Sequence, residues 1–277
     1  MSDTTDADEQ FAAWMRDNLA HAADHFGLVL AGEPVYGWRL RSIGSRAYSQ
    51  DGDRWLRVVS QELEWAQGDH WTGTLDANTV TGIAKPRVLD VYEWSEFDWR
   101  NQRAEVMTLL SGKPCSPTDV LRTDPDLSDT WWEHLAQALD QLSRVPTSRV
   151  NADQAKVAER ITERFGPNAD TTVTRWETVH GDLHWSNLFR PQFGLLDWEL
   201  WGRGPEGTDA ATLYCFSLAR PPTAERVRAL FADKLDSRGG RVAQLCVIAR
   251  LLRRIDGGDF PDLADPLAAH AETLLRR

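Results

Sequence analysis

Lysine, cysteine and long apolar runs are all scarce in this chain of 277 residues. The only lysines are Lys85, Lys113, Lys156 and Lys234, and the net charge is −11. No basic stripe is available, which argues against a nucleic-acid partner. No stretch approaches the roughly 18 consecutive apolar residues of a membrane span. The opening MSDTTDADEQ is too acidic and polar for a secretory or transit segment. Cys115, Cys215 and Cys246 are widely separated and lack metal-ligand spacing, so they read as reduced, half-buried thiols of a cytoplasmic protein. Nothing in the sequence calls for an obligate protein partner.

What is present is ordinary globular material: 42% hydrophobic and 26% charged residues, enough for one large domain or two modest ones. Thirteen tryptophans are many for the length. Trp131 and Trp132 read as core, while indoles elsewhere offer contact area for a ligand.

Phe11, Trp14, Met15, Leu19, Ala22, Ala23 and Phe26 recur at spacings of three and four, which predicts a helix ending near Gly27. Short runs at Tyr36–Ser42, Ala47–Gln50 and Arg54–Val59 predict antiparallel strands, with a hairpin turn at Asp51-Gly52-Asp53. A helix over Leu75–Ile83, then strands over Arg87–Trp94 and Ala104–Leu110, complete the first region. The stretch Ser111-Gly112-Lys113-Pro114 reads as the linker between lobes. Beyond it helices are expected over Asp129–Val145, capped by Ser128, and over Asn151–Phe165. Two short strands follow within 176–201, then helices from Asp209 onward. The layout is α+β, with a small strand-rich lobe over 1–110 and a larger helical lobe over 111–277.

The segment His180-Gly181-Asp182-Leu183-His184-Trp185-Ser186-Asn187 concentrates the chemistry. Asp197 and Glu199 follow at the end of the apolar run Leu195-Leu196. Phosphoryl transfer calls for such a set: a carboxylate to orient and deprotonate a hydroxyl, and hard oxygen donors for Mg²⁺.

These residues resemble the aminoglycoside phosphotransferase and choline kinase-like family, small-molecule relatives of the protein kinases. The family pattern His-Gly-Asp-Leu-His-x-x-Asn, then an apolar run and Asp-Trp-Glu, is met by His180 through Asn187 and by Leu195 through Glu199. The resemblance implies a bilobal protein-kinase-like fold, ATP (or GTP) between the lobes, and Mg²⁺. It makes Asp182 the catalytic base and Asn187 and Asp197 the metal ligands. His180 would brace the loop, with His184 and Glu199 in support, and Asp209 in Gly-Pro-Glu-Gly-Thr-Asp-Ala-Ala would tie the loop through hydrogen bonds. On the strand where the family carries a phosphate-anchoring lysine stands Arg57, with Lys85 as an alternative. Asp76 or Glu64 would be its acidic partner, and Met107 to Leu110, with Leu109 among them, would meet the base. The glycine-rich loop is reduced to Gly44.

Two rivals remain open: a nucleotide-binding module without turnover, suggested by Arg57, and a metal-dependent hydrolase built on His180, Asp182 and His184. Only eleven residues separate Asp197 from Asp209, which leaves no long activation loop for a protein substrate. The acceptor is therefore expected to be a small hydroxylated molecule, which the resemblance makes one of aminoglycoside, amino-sugar or amino-alcohol type. Asp256, Asp259, Asp262 and Asp265 hint that it is cationic.

Overall fold

Helix α1 (Ser2–Phe26) and a five-stranded antiparallel sheet account for most of the first of two compact units in the computed structural model, which describes residues 2–276. One unit holds the chain up to Asn78 together with Pro86–Leu110; the other holds Thr79–Lys85 together with everything from Ser111 onward.

In the first unit the strands are β1 (Val29–Tyr36), β2 (Ser42–Ser49), β3 (Gly52–Glu62), β4 (Val88–Glu96) and β5 (Arg100–Thr108), in the order β1-β2-β3-β5-β4. The apolar stripe of α1 explains its docking: Met15, Leu19, Ala22 and Ala23 are buried against Ile43, Ala47, Leu56, Val58, Ala104 and Val106. Gly27 closes α1 at φ 63°. The strand expected over Tyr36–Ser42 is instead a break, a single 3-10 turn at Trp38–Leu40 between two strands. Strand β1 lies upstream of it, with an irregular register between Ala31 and Val35 around Gly32 and Pro34, both tolerated at a sheet edge. The hairpin turn sits at Gln50-Asp51, one residue earlier than expected, since Ser49 pairs with Gly52. Helix α2 covers Asp69–Asp76 rather than 75–83, and a 3-10 turn at Ala77–Thr79 ends it.

The second unit begins with Thr79–Lys85, residues that a lobe over 1–110 would include. The amide nitrogen of Leu195 donates to the Ala84 carbonyl (2.9 Å), and Gln141 Nε2 to that of Thr81 (2.6 Å). Val80 and Ile83 are buried through this packing, not through a helical face. The stretch read as a linker contains a short strand, β6 (Lys113–Pro114), paired with Arg190 and Phe189. Helix α3 (Asp129–Ser143) is capped by the Ser128 side chain, which accepts from the Trp131 amide (3.2 Å). Its buried face carries Trp131, Leu135, Leu139 and Leu142. Helix α4 (Gln154–Phe165) starts three residues later than expected, because Asp153 is its cap. Strands β7 (Trp176–Val179), β8 (Leu188–Arg190), β9 (Gly194–Leu195) and β10 (Gly202–Pro205) form two small antiparallel pieces, β10 with β7 and β6-β8-β9. Helices α5 (Thr208–Ser217), α6 (Pro221–Leu230), α7 (Ala232–Leu235), α8 (Arg238–Asp256) and α9 (Ala264–Leu275) complete the unit. The three thiols are buried rather than half-buried, and burial pushes Cys115 and Cys215 up to about 12, so both stay protonated and inert. Among the described residues no helix is long and apolar enough to cross a membrane.

Candidate active site

The loop between β7 and β8 carries His180 to Asn187, and its shape follows from its hydrogen bonds. Asp209, in the first turn of α5, accepts from the backbone N–H groups of His180 (2.7 Å) and Gly181 (2.9 Å). Those two donors would otherwise be buried without partners. Gly181 adopts φ 82°, a region that a side chain disfavours. His180 is fully buried, its Nε2 donates to the Leu196 carbonyl (2.8 Å), and its ring packs edge-on against Trp198. Burial lowers His180 to about 4, so it is a neutral brace for the loop.

Burial also acts on Asp182, raising its affinity for a proton. His184, with Nε2 at 3.3 Å, and Arg250, with Nη1 at 3.8 Å, outweigh that effect and hold the carboxyl well below the usual carboxylate range. Asp182 is therefore an ionised acceptor. Burial pulls His184 down, but Asp182 first, then Asp119 and Asp197, raise it above its ordinary value. Asn187 directs Nδ2 at the Asp182 carbonyl (3.0 Å) and lies 3.1 Å from His184 Nε2, which leaves Oδ1 as the atom able to ligate a cation.

Asp197 stands just beyond β9. The Leu196 amide donates to the Asn187 carbonyl (2.8 Å), and Leu188 pairs with Leu195, so Asn187 and Asp197 leave the same end of the β8–β9 hairpin. Asp197 adopts φ 58°, a conformation that aspartate tolerates better than most residues, and its side chain is exposed. Glu199 is buried. Its carbonyl accepts from Arg149 Nη2 (3.2 Å), whose Nε donates to the Trp201 carbonyl (3.1 Å). Arg149 thus holds the segment after Asp197.

His180, Asp182, His184, Asn187 and Asp209 are brought together, with Asp197 at the adjoining hairpin end. The candidate nucleotide residues are placed differently. Arg57, in the middle of β3, lies 3.4 Å from Thr74 Oγ1 on α2 and 3.5 Å from the buried Glu105 on β5. Glu105 also receives Arg103 (3.0 Å). Asp76, at the end of α2, accepts from Thr72 Oγ1 (2.6 Å), and Glu64 is exposed in the turn after β3. Lys85 is not on a strand: it precedes β4, clusters with the second unit, and sets its ammonium 5.5 Å from the Trp198 ring centre. Met107 is buried in β5, paired with Trp55 and Val88, and Leu109 follows where the ladder ends. Sequence reading missed Glu105, Asp119, Arg149, Arg250 and Arg254. Each is an isolated charge distant from the residue it serves, and only the fold supplies the connection.

A hydrolytic metal centre on His180, Asp182 and His184 does not form, because His180 turns away to Leu196. Among the described residues no group of three His, Cys, Asp or Glu is placed to hold a metal ion. A Mg²⁺ site with Asn187 and Asp197 as its two protein donors would need no such group, since phosphates and water would supply the other ligands.

The raised carboxyl of Asp209 makes a measurable prediction. Burial lifts it from 3.8 to about 6, against the two N–H bonds that favour its charge. A carboxyl that binds its proton more tightly when folded adds stability at low pH, and that contribution is lost as pH rises through about 6. Between about pH 4 and pH 7 the wild type should therefore lose up to about 3 kcal/mol relative to Asp209→Asn. Parallel denaturation curves for the two proteins across that range would contradict this.

No family model matches the sequence, and no curated protein matches it either. Solved structures do. A thermostable mutant of the aminoglycoside phosphotransferase APH(4)-Ia superposes with a TM-score of 0.60 at 14% identity, covering 93% of this chain and 98% of that one. The amicoumacin kinase hAmiN, in complex with AMP-PNP, Ca²⁺ and Ami, gives 0.55 at 12%, covering 100% and 95%. The spectinomycin phosphotransferase APH(9)-Ia, with ADP and spectinomycin, gives 0.55 at 10%, covering 94% and 88%. At such identities the likeness is one of fold, and along nearly its whole length this chain has the α+β kinase-like fold of those phosphotransferases.

Proposed function

We propose that the protein transfers the γ-phosphate of ATP (or GTP) to a hydroxyl of a small molecule. The observation that carries this reading is Asp182, an ionised carboxylate fixed between His184 and Arg250 on a loop braced by Asp209. The shared fold supports it: structures with that fold include an APH(4)-Ia mutant bound to ADP and hygromycin B, and hAmiN bound to AMP-PNP.

In this reading Asp182 accepts the proton of the acceptor hydroxyl as its oxygen attacks the γ-phosphorus. The bond from that phosphorus to the bridging oxygen breaks, and ADP leaves. Asn187 and Asp197 would hold Mg²⁺, which when bound offsets the charge on the phosphates. His184 keeps the Asp182 carboxylate oriented, and Arg57 or Lys85 serves as a phosphate contact, with Asp76 or Glu64 as its acidic partner and Met107 to Leu110 at the base.

Asp197→Ala tests the metal assignment. ATP with Mg²⁺ should raise the Tm of the wild type more than ATP with chelator does, and the variant should lose that Mg²⁺-dependent increment. An increment of unchanged size would remove Asp197 from the metal site. The rival reading, a nucleotide-binding module without turnover, draws on Arg57, whose guanidinium lies against Glu105 and Thr74. Transfer of phosphate to any acceptor decides against it.

A further inference from the structure

Two arginines of α8 lie along the catalytic loop, Arg250 against Asp182 and Arg254 against Asp119, and Arg254 has no part in the phosphoryl-transfer steps. Arg250 of α8 donates to the Gly181 carbonyl (2.9 Å) and lies 3.8 Å from the Asp182 carboxylate. One turn further along α8, Arg254 contacts Asp119 (3.3 Å) and Asp259 (2.9 Å), with its guanidinium 4.5 Å from the Phe260 ring centre. Asp119 in turn lies 3.7 Å from His184 Nδ1 and 3.3 Å from Ser186 Oγ. Every carboxylate in this chain of contacts from Asp182 therefore has a guanidinium already against it.

The same holds further out. Of the acidic residues that suggested a cationic acceptor, Asp256 pairs with Arg164 (2.7 Å), Asp259 with Arg254, and Asp262 with Arg122 through both oxygens (2.8 and 2.9 Å). The reason for expecting a cation is thus removed at three of the four positions.

An ammonium on the acceptor would have to displace one of these guanidiniums, leaving it without its carboxylate, or lie beside Arg250 and Arg254 at a cost in like-charge repulsion. A carboxylate on the acceptor fares no better, since it would have to displace one of these aspartates from its guanidinium or lie beside the ionised Asp182. We infer that the acceptor delivered to Asp182 is an uncharged, hydroxyl-rich small molecule, and that Arg254, by covering Asp119 and Asp259, is a specificity determinant against amines. The inference rests on Asp182 being the base.

The test uses the full chain, Mg²⁺-ATP and a panel of matched compounds at low salt, with ADP release read above the acceptor-free rate. Glucosamine is set against N-acetylglucosamine, kanamycin against its fully N-acetylated form, and glucuronate against glucose. Uncharged members should exceed their charged counterparts in kcat/KM by at least about tenfold. Arg254→Met, which uncovers two carboxylates, should narrow the gap to amines by about tenfold, whereas a merely structural Arg254 would depress both members of a pair equally. An amine or a carboxylate as the best acceptor, no turnover of any uncharged member, or an unaltered preference in Arg254→Met would overturn the inference. Failure of the kinase reading has a different signature: ATP neither stabilises the protein nor is hydrolysed without acceptor.

Discussion

Replacing Asp182 by asparagine should lower phosphoryl transfer by about two to four orders of magnitude, the range attributable to a positioned general base. Asparagine preserves the shape of the side chain but accepts no proton. The loop itself should survive, because its shape depends on backbone bonds to Asp209 and on the His180–Leu196 contact rather than on the Asp182 carboxylate. Nucleotide-induced stabilisation is therefore expected to persist in Asp182→Asn while turnover disappears. His184 should also change: without the carboxylate at 3.3 Å it loses the strongest of the influences that raise it. Retained turnover, or loss of turnover only together with loss of folding, would contradict the assignment.

Gly181→Ala should cost both stability and activity. A Cβ at this position would lie 2.1 Å from Asn151 Nδ2 and 2.8 Å from the Leu200 carbonyl oxygen. The Asn151 amide cannot simply swing aside, because Nδ2 donates to that same carbonyl (2.9 Å). The backbone at φ 82° adds its own penalty, of order 1–2 kcal/mol for a residue with a Cβ. Together with the lost bond, the expected destabilisation is about 3 kcal/mol or more, and turnover should fall with it because Asp182 is the next residue. Gly181→Ala melting within a degree or so of the wild type, with unchanged kcat, would show that the loop yields more easily than its contacts imply.

The legible parts of the molecule are those whose signals are contiguous. The stripe from Phe11 to Phe26 marks α1 because one face of one helix meets one sheet. His180 to Asn187 stand out because a single loop carries them. Elsewhere local signals mislead. The expected strands begin only at Tyr36, and β1 is missed because Gly32 and Pro34 lie within it, residues that an edge strand accommodates. Val80 and Ile83 look like a helical face and prolong α2 on paper, whereas they are buried by the packing of 79–85 against the helical unit to which it belongs. The distant contributors leave no trace at all. Arg250 reaches Gly181 across 69 residues and Arg254 reaches Asp119 across 135, and nothing near either arginine distinguishes it from the others of α8. The acidic C-terminal segment shows the same limit in reverse. Its carboxylates look available in the sequence, and the fold pairs Asp256, Asp259 and Asp262 with arginines.

The central claim is that phosphate passes from nucleotide to an organic hydroxyl with Asp182 as the base. It is tested most directly by following the γ-phosphate of labelled ATP in single turnovers with the best acceptor of the matched panel. Label should appear on the acceptor, one equivalent for each ADP formed, and Asp182→Asn should abolish that transfer while still binding Mg²⁺-ATP. Label found only in inorganic phosphate, or transferred at the same rate by Asp182→Asn, would contradict the account.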